Sequence, residues 1–381
     1  MRNRILWALV LCLFATSSAM GGDIKTNGFA SIVTGIDLED DGNPREGYGN
    51  RTADSLQESR VGLQWTADLE DGMRFVAQAV AKGDASTGYA TNFDWAYFDF
   101  NIGESGKLKV GRVRIPFYKY SDYLDVGYAY HWIAPPPAMY SINFSNLDGI
   151  SYQHNYEMGG MEQALNIVVG RYQGVLPAIG PANMENFFAV NWQASMGDHE
   201  FSAAYAQTDL YVDAGLSVPD STGFAVTDVA TGSITTSDIL ADGDFASFVG
   251  VGYKGTFGDI SVYSEFNTVT VKDSIFAEDD TGGYMGVSYA MEDYTYHVTY
   301  EISEVTAAKY SSALAQAISN GIGNEGDSTA FTFGVRKDVG ISSAVKVDLT
   351  SYTEDKYQNP GDPAKTELTA LILKVAVETM F

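Results

Sequence analysis

The sequence predicts an all-β protein, a transmembrane antiparallel β-barrel of about sixteen strands, and three observations predict it. Apolar and polar residues alternate with period two in segment after segment. The links between those segments are alternately short and long. An apolar, arginine-flanked leader at one end of the chain is matched by an alternating strand that stops on an aromatic residue at the other.

The leader comes first. Arg2 and Arg4 precede the apolar run Ile5 to Ala15, and the small residues Thr16-Ser17-Ser18-Ala19 follow. That is the three-part layout of a secretory signal peptide, expected over residues 1–19 and removed from the mature chain. The run is shorter than the roughly 17–25 residues of a spanning helix, which argues against a helical anchor. Cys12 sits mid-run behind Leu11, not behind the small residue that a lipid-acceptor cysteine needs. It is the sole cysteine and leaves with the leader, so neither a disulfide framework nor thiolate chemistry is expected.

Composition narrows the class. The formal net charge is −26 and grows more negative by two when Arg2 and Arg4 leave, a sign that excludes a nucleic-acid partner. Mean hydropathy is −0.10, and no further apolar run is long enough for a transmembrane helix. Yet the chain carries 24 Tyr, 20 Phe and 39 Gly against 10 Pro, as many aromatic-rich strands and turns would require.

The strands follow from period-two alternation, which makes no stripe on a helix. Val61, Leu63, Trp65, Ala67 and Leu69 alternate with Arg60, Gly62, Gln64, Thr66 and Asp68; Met73, Phe75, Ala77, Ala79 and Ala81 alternate with Arg74, Val76, Gln78, Val80 and Lys82. Tyr294, Tyr296, Val298, Tyr300 and Ile302 repeat the pattern. Strands are expected near 24–37, 59–69, 73–82, 93–102, 107–116, 147–156, 162–172, 186–196, 199–209, 245–257, 260–269, 283–291, 294–304, 328–338, 344–353 and 366–381. In 107–116 the apolar residues change face between Val110 and Val113, which predicts a bulge or two covered faces.

Tight links at 70–72, 103–106, 197–198, 258–259, 292–293 and 340–343 alternate with long ones near 38–58, 83–92, 117–146, 173–185, 210–244, 270–282, 305–327 and 354–365. Spanning barrels carry tight periplasmic turns and long extracellular loops, so residues 20–381 read as one barrel domain. Ala307 to Ile318, closed by Asn320-Gly321, reads as a short helix on an external loop, or else as a plug in the lumen. The acids cluster in external loops, at Asp37 to Asp41, Asp213 to Asp244 and Asp273 to Asp280, where bound divalent cations are an option. Otherwise no cofactor is expected. His131, His154, His199 and His297 lack metal-ligand spacing, and no Ser/His pair suggests an enzyme.

The last strand, Leu371 to Phe381, resembles the assembly signal of outer-membrane barrels, which implies periplasmic chaperones and the barrel assembly machinery as partners. Gly111-Arg112 just ahead of Pro116, a third long loop from Phe117 to Asn146 and the terminal Phe381, set in about sixteen strands, together resemble the general porins of Gram-negative bacteria. The resemblance covers the mature chain in layout, while its motifs are short. It implies a homotrimer in the outer membrane, among lipid and lipopolysaccharide. It also implies that loop 117–146 folds inward as a constriction, its carboxylates Asp122 and Asp125 facing basic wall residues Arg60, Arg74, Lys82 and Arg171. Arg112 and Arg114 face either the lumen or a neighbouring subunit. The tip departs from the family's acidic turn, being aromatic and proline-rich from Tyr128 to Pro137. The function implied is passive diffusion of ions and small hydrophilic solutes with mild cation preference. A channel selective for phosphate, sugar or dicarboxylate is the rival, and an adhesin a more distant one.

Overall fold

The computed structural model describes residues 23–39, 48, 51–69, 72–84, 88–142, 144–176, 180–212, 242–272, 279–306, 326–357 and 365–381. The leader, the helix expected within 305–327 and most of the acidic loop residues lie outside these. The first eight strands are β1 (Ile24–Asp37), β2 (Arg60–Asp68), β3 (Met73–Asp84), β4 (Gly88–Ile102), β5 (Gly106–Arg114), β6 (Asn146–Met158), β7 (Met161–Leu176) and β8 (Gly180–Met196). The second eight are β9 (His199–Val212), β10 (Asp242–Phe257), β11 (Ile260–Val271), β12 (Asp279–Met291), β13 (Tyr294–Thr306), β14 (Gly326–Val339), β15 (Ser343–Tyr357) and β16 (Lys365–Met380). Each pairs antiparallel with its sequence neighbours, and β16 pairs with β1 to close the barrel.

Closure answers a physical demand: in hydrocarbon every N–H and C=O must find a partner within the protein, and a closed sheet has no unpaired edge. The seam runs from Phe29 opposite Met380 to Asp37 opposite Ile372. It is extended by one reciprocal pair, in which the Gly28 amide donates to the Phe381 carbonyl (2.7 Å) and the Phe381 amide to the Gly28 carbonyl (2.9 Å).

Alternation sorts the side chains. On β13 the outward Val298, Tyr300 and Ile302 are exposed and the inward His297, Thr299 and Glu301 are buried. The same parity turns Arg60, Arg74 and Lys82 inward, in register with one another and with Asp68 and Asp99. At one end the links are tight. Gly197 and Gly258 open two-residue turns at φ +57° and +64°, a conformation that costs glycine nothing.

Two links expected to be long are short. β3 and β4 leave only 85–87 between them, and β7 and β8 only 177–179. Gly88 and Gly180-Pro181, residue types that usually mark turns, here begin strands, so the pattern put the strand ends too late. The bulge expected near β5 sits on its neighbour: between Gln78 and Ala79 of β3 the register of β4 skips Asp94. On β5 itself, Val113 faces inward against Leu147, and Arg114 turns into the lumen as the chain leaves the sheet.

The terminal aromatic yields a test. Deleting Phe381 removes two backbone bonds worth about 0.5–1.5 kcal/mol each at the seam. A lower yield of heat-resistant folded barrel and a lower melting temperature are expected on gel-shift and thermal scans. Unchanged values of both would show that the seam does not need this residue.

Candidate functional site

The connection between β5 and β6, residues 115–145, folds into the lumen. Its two ends and its aromatic residues explain why. Val113, Ile115, Phe117, Tyr118, Tyr120, Trp132 and Met139 are buried against Val168, Ala189, Ala204, Ala206, Phe248, Tyr263 and Tyr284 on the inner wall of β7–β12. Phe117 alone packs on Phe144, Phe187 and Phe248 at 5.0–6.1 Å. An aromatic tip buries more apolar area than an acidic one, so this loop is glued to the wall where a charged turn would stay solvated.

Charge then fixes the loop at three places. Asp125 is met by Lys82 Nζ at 2.8 Å, Arg114 Nη2 at 2.9 Å and Arg60 Nη1 at 3.5 Å, and Asp94 joins Lys82 and Arg114 at 3.5 and 3.4 Å. Burial works to raise the Asp125 pKa, but Lys82, Arg114 and Arg60 outweigh it and hold the carboxyl well below the usual range. On the far wall Lys346, wholly buried, donates to the carbonyls of Gly127 (2.8 Å) and Trp132 (2.5 Å) and pairs with Glu378 at 2.5 Å. Arg336 donates to the carbonyls of Tyr128 and Tyr130, and the Asp348 carboxylate accepts from the Ile133 amide. A Cβ at Gly127 would collide with Glu378 and Ser31, so only glycine lets the loop approach that wall. On β11, Glu265 accepts from Tyr140 (2.7 Å), Tyr284 (2.6 Å) and the Lys119 amide (2.9 Å).

The residues singled out by sequence therefore separate. Asp125, Arg60 and Lys82 come together, with Arg114 as a fourth member and Asp94 as one the sequence did not flag. They touch directly, with no gap between loop and wall. Arg74 pairs with Asp99 instead. Asp122 stays exposed on the loop's other side. Arg171 requires correction: it stands opposite Asp148 on the outward row of β6 and β7 and does not line the lumen, because Val168 and Tyr172 hold the inward parity around it. Arg112 is on the same outward row, bidentate to Asp148 at 2.9 and 3.1 Å. Lys346, Asp348, Arg336 and Glu378 were not flagged either. Their signal was present, since Lys346 and Asp348 alternate with the outward Val345, Val347 and Leu349. A second infolding left no sequence signal: Tyr48 of the first loop is buried against Ala330, Tyr352, Ala370 and Ile372.

Below the loop, toward the tight turns, lies a cavity of about 750 Å³. Lys119, Asp122 and Tyr123 of the loop form one side, and Glu157, Glu162 and Glu200 stand among amides on the other. Glu200 is held by Lys119 at 2.6 Å and Lys254 at 3.3 Å. Asp122, Glu157 and Glu162 have no cationic partner among the described residues. Among those residues, too, no His, Cys, Asp and Glu cluster could hold a metal ion.

Residues 8–357 match a protein family described as Gram-negative porin. Among solved structures, the trimer form of in-vitro folded OmpT of Vibrio cholerae superposes with a TM-score of 0.57 at 13% identity, covering 94% of this chain and 99% of that one. An anion-selective porin from Comamonas acidovorans gives 0.58 at 14% identity over 94% and 100% of the two chains. The Salmonella typhi OmpF complex with daunomycin gives 0.59 at 13% over 95% and 98%. At such identities the likeness shows the fold alone. No curated protein matches the sequence.

The Asp125 clamp makes a prediction. Asp125→Asn leaves three cations with Asp94 as the one carboxylate of the cluster and should loosen loop docking by about 3–5 kcal/mol, the cost of removing one partner from a buried pair. Amide hydrogen exchange over 120–126 measures this. Because the Asp125 pKa is depressed, its contribution is present above the free carboxylate value and is lost as pH falls below about 3.9. Protection factors here, with the intrinsic pH dependence of amide exchange divided out, should be flat in pH down to that point.

Proposed function

Because the chain belongs to the Gram-negative porin family, we propose that it is an outer-membrane channel through which ions and small hydrophilic solutes diffuse passively, with a preference for cations. The observation that carries the preference is the imbalance along the cavity under the loop. Most of the basic wall that would attract anions is engaged: Arg60, Lys82 and Arg114 share Asp94 and Asp125, which leaves one positive charge over, and Arg74 is paired with Asp99. The uncompensated groups of the cavity are Asp122, Glu157 and Glu162, all carboxylates. Charges within about a Debye length of the path, some 10 Å at 0.1 M salt, decide which ion is enriched. The fold cannot decide it, since the Comamonas acidovorans porin of the same fold is anion-selective.

Two features weigh against a phosphate or sugar channel. A basic ladder would need Arg112 in the lumen, and it points outward to Asp148. An aromatic slide would need a run of exposed rings, and of Tyr118, Tyr120 and Tyr123 the first two are buried in packing and Tyr123 alone is exposed. At neutral pH the loop's role is that of a partition, which narrows the lumen and leaves the aqueous route along the polar wall. A homotrimer is the assembly this reading adopts, in keeping with the trimer form of the Vibrio cholerae protein, and secretion to the periplasm by a leader over residues 1–19 is its route.

Reversal potentials in planar bilayers under a salt gradient test the reading. The parent should favour cations, and Asp122→Asn with Glu157→Gln and Glu162→Gln should bring the permeability ratio several-fold toward unity. Clear anion preference, or a ratio untouched by the triple variant, would overturn it. Conductance should grow in proportion to salt, while saturation or block by one solute class would favour a selective site.

A further inference from the structure

We propose that His131 and His297 form a proton-operated latch, which holds the middle of the lumenal loop against β13–β16 at neutral pH and lets it go on acidification. His131 stands in the loop between the two carbonyls that Arg336 and Lys346 grip, those of Tyr130 and Trp132. Its ring lies 3.9 Å from that of Trp132, 4.5 Å from Tyr263 and 4.9 Å from His297, centroid to centroid. His297, wholly buried on β13, directs Nε2 to Asp348 Oδ1 at 3.1 Å. Of the three other ring nitrogens, two, His131 Nε2 and His297 Nδ1, are buried without a hydrogen-bond partner. Such orphans are rare in a native interior and cost free energy unless they serve a purpose.

The two imidazoles differ in their partners. His297 faces Asp348, whose other oxygen already accepts from the Ile133 amide of the loop. A charge on His131 would face Lys346 from β15, Arg336 from β14, Lys254 from β10 and the second imidazole from β13. The carboxylates of this wall are engaged elsewhere: Glu378 of β16 with Lys346, Glu301 of β13 with the Ala138 amide, Glu265 of β11 with two tyrosines. Burial first, and then these cations, hold the His131 pKa well below its ordinary value.

The sign follows by linkage. A group whose pKa is depressed in the docked state favours docking only while neutral, so docking is fully supported above the free imidazole value of about 6.5 and weakens below it, by up to tenfold in the docked-to-released ratio per pH unit. The Asp125 clamp on the opposite wall keeps its charge through that window, so one side of the loop lets go while the other stays pinned. The consequence for permeation rests on the channel reading; the latch does not.

A spin label at Ala129→Cys tests it in the mature barrel in lipid vesicles; Ala129 is exposed and Cys12 falls in the expected leader. Between about pH 7.5 and pH 5 the mobile fraction of the label should rise steeply in the parent. It should stay low in His131→Phe, which fills the same space without charge. His131→Gln, neutral and polar, serves as the second variant should the first fail to fold. A label immobile at both pH values in the parent, or the same pH profile in the parent and in these variants, would overturn the proposal. Conductance from the same vesicles separates the two readings. A responsive label without any conductance would sink the channel and spare the latch, whereas conductance with an unresponsive label would do the reverse.

Discussion

Everything in this molecule follows from the need of a peptide chain in hydrocarbon to bond all of its backbone to itself. That need produces the closed sheet, and a closed sheet of this size encloses more space than its own inward side chains fill. The space is then organised by what enters it. Here a connection of about thirty residues does so, with enough aromatic surface to remain inside.

Aromatic packing and charge divide the labour. The rings hold the loop on one wall, over β7–β12, with Glu200 and Glu265 as its polar holds there. The ion pairs hold it on the others, at Asp125 against β2, β3 and β5 and at Lys346 and Arg336 against β14–β16. Pairs of this kind are a poor source of net stability, because each charge must first be stripped of water. Their value here is positional: a cation that grips two carbonyls tolerates only one placement of the loop. The same pairing offsets most of the wall's basic charge, so the residues that anchor the loop also lower the positive charge that the lumen presents.

The barrel was legible in the sequence because its signal is repeated. Strands such as 60–68 and 294–306 announce themselves by strict alternation, and Arg60, Arg74 and Lys82 could be turned inward from parity alone. What failed to show were places where parity is interrupted or carries no apolar partner. β4 and β8 begin on Gly88 and Gly180-Pro181, which read as turn residues, and the Asp94 bulge changes face without leaving a glycine to mark it. Arg171 was misplaced because its strand mixes apolar residues on both faces. The loop's destination was harder still, since no local pattern says that Gly127 will rest on Glu378, about 250 residues away.

That last contact joins two events which the chain could have kept apart. Ser31 and Glu378, hydrogen-bonded to each other at 2.8 Å, belong to the first and last strands, the only neighbours not consecutive in sequence. They form the floor on which the turn at Gly127 sits. The zip that makes a cylinder out of a ribbon is thus also the socket for the piece that divides its interior, and a cylinder fastened one residue out of register would have no seat for its own partition.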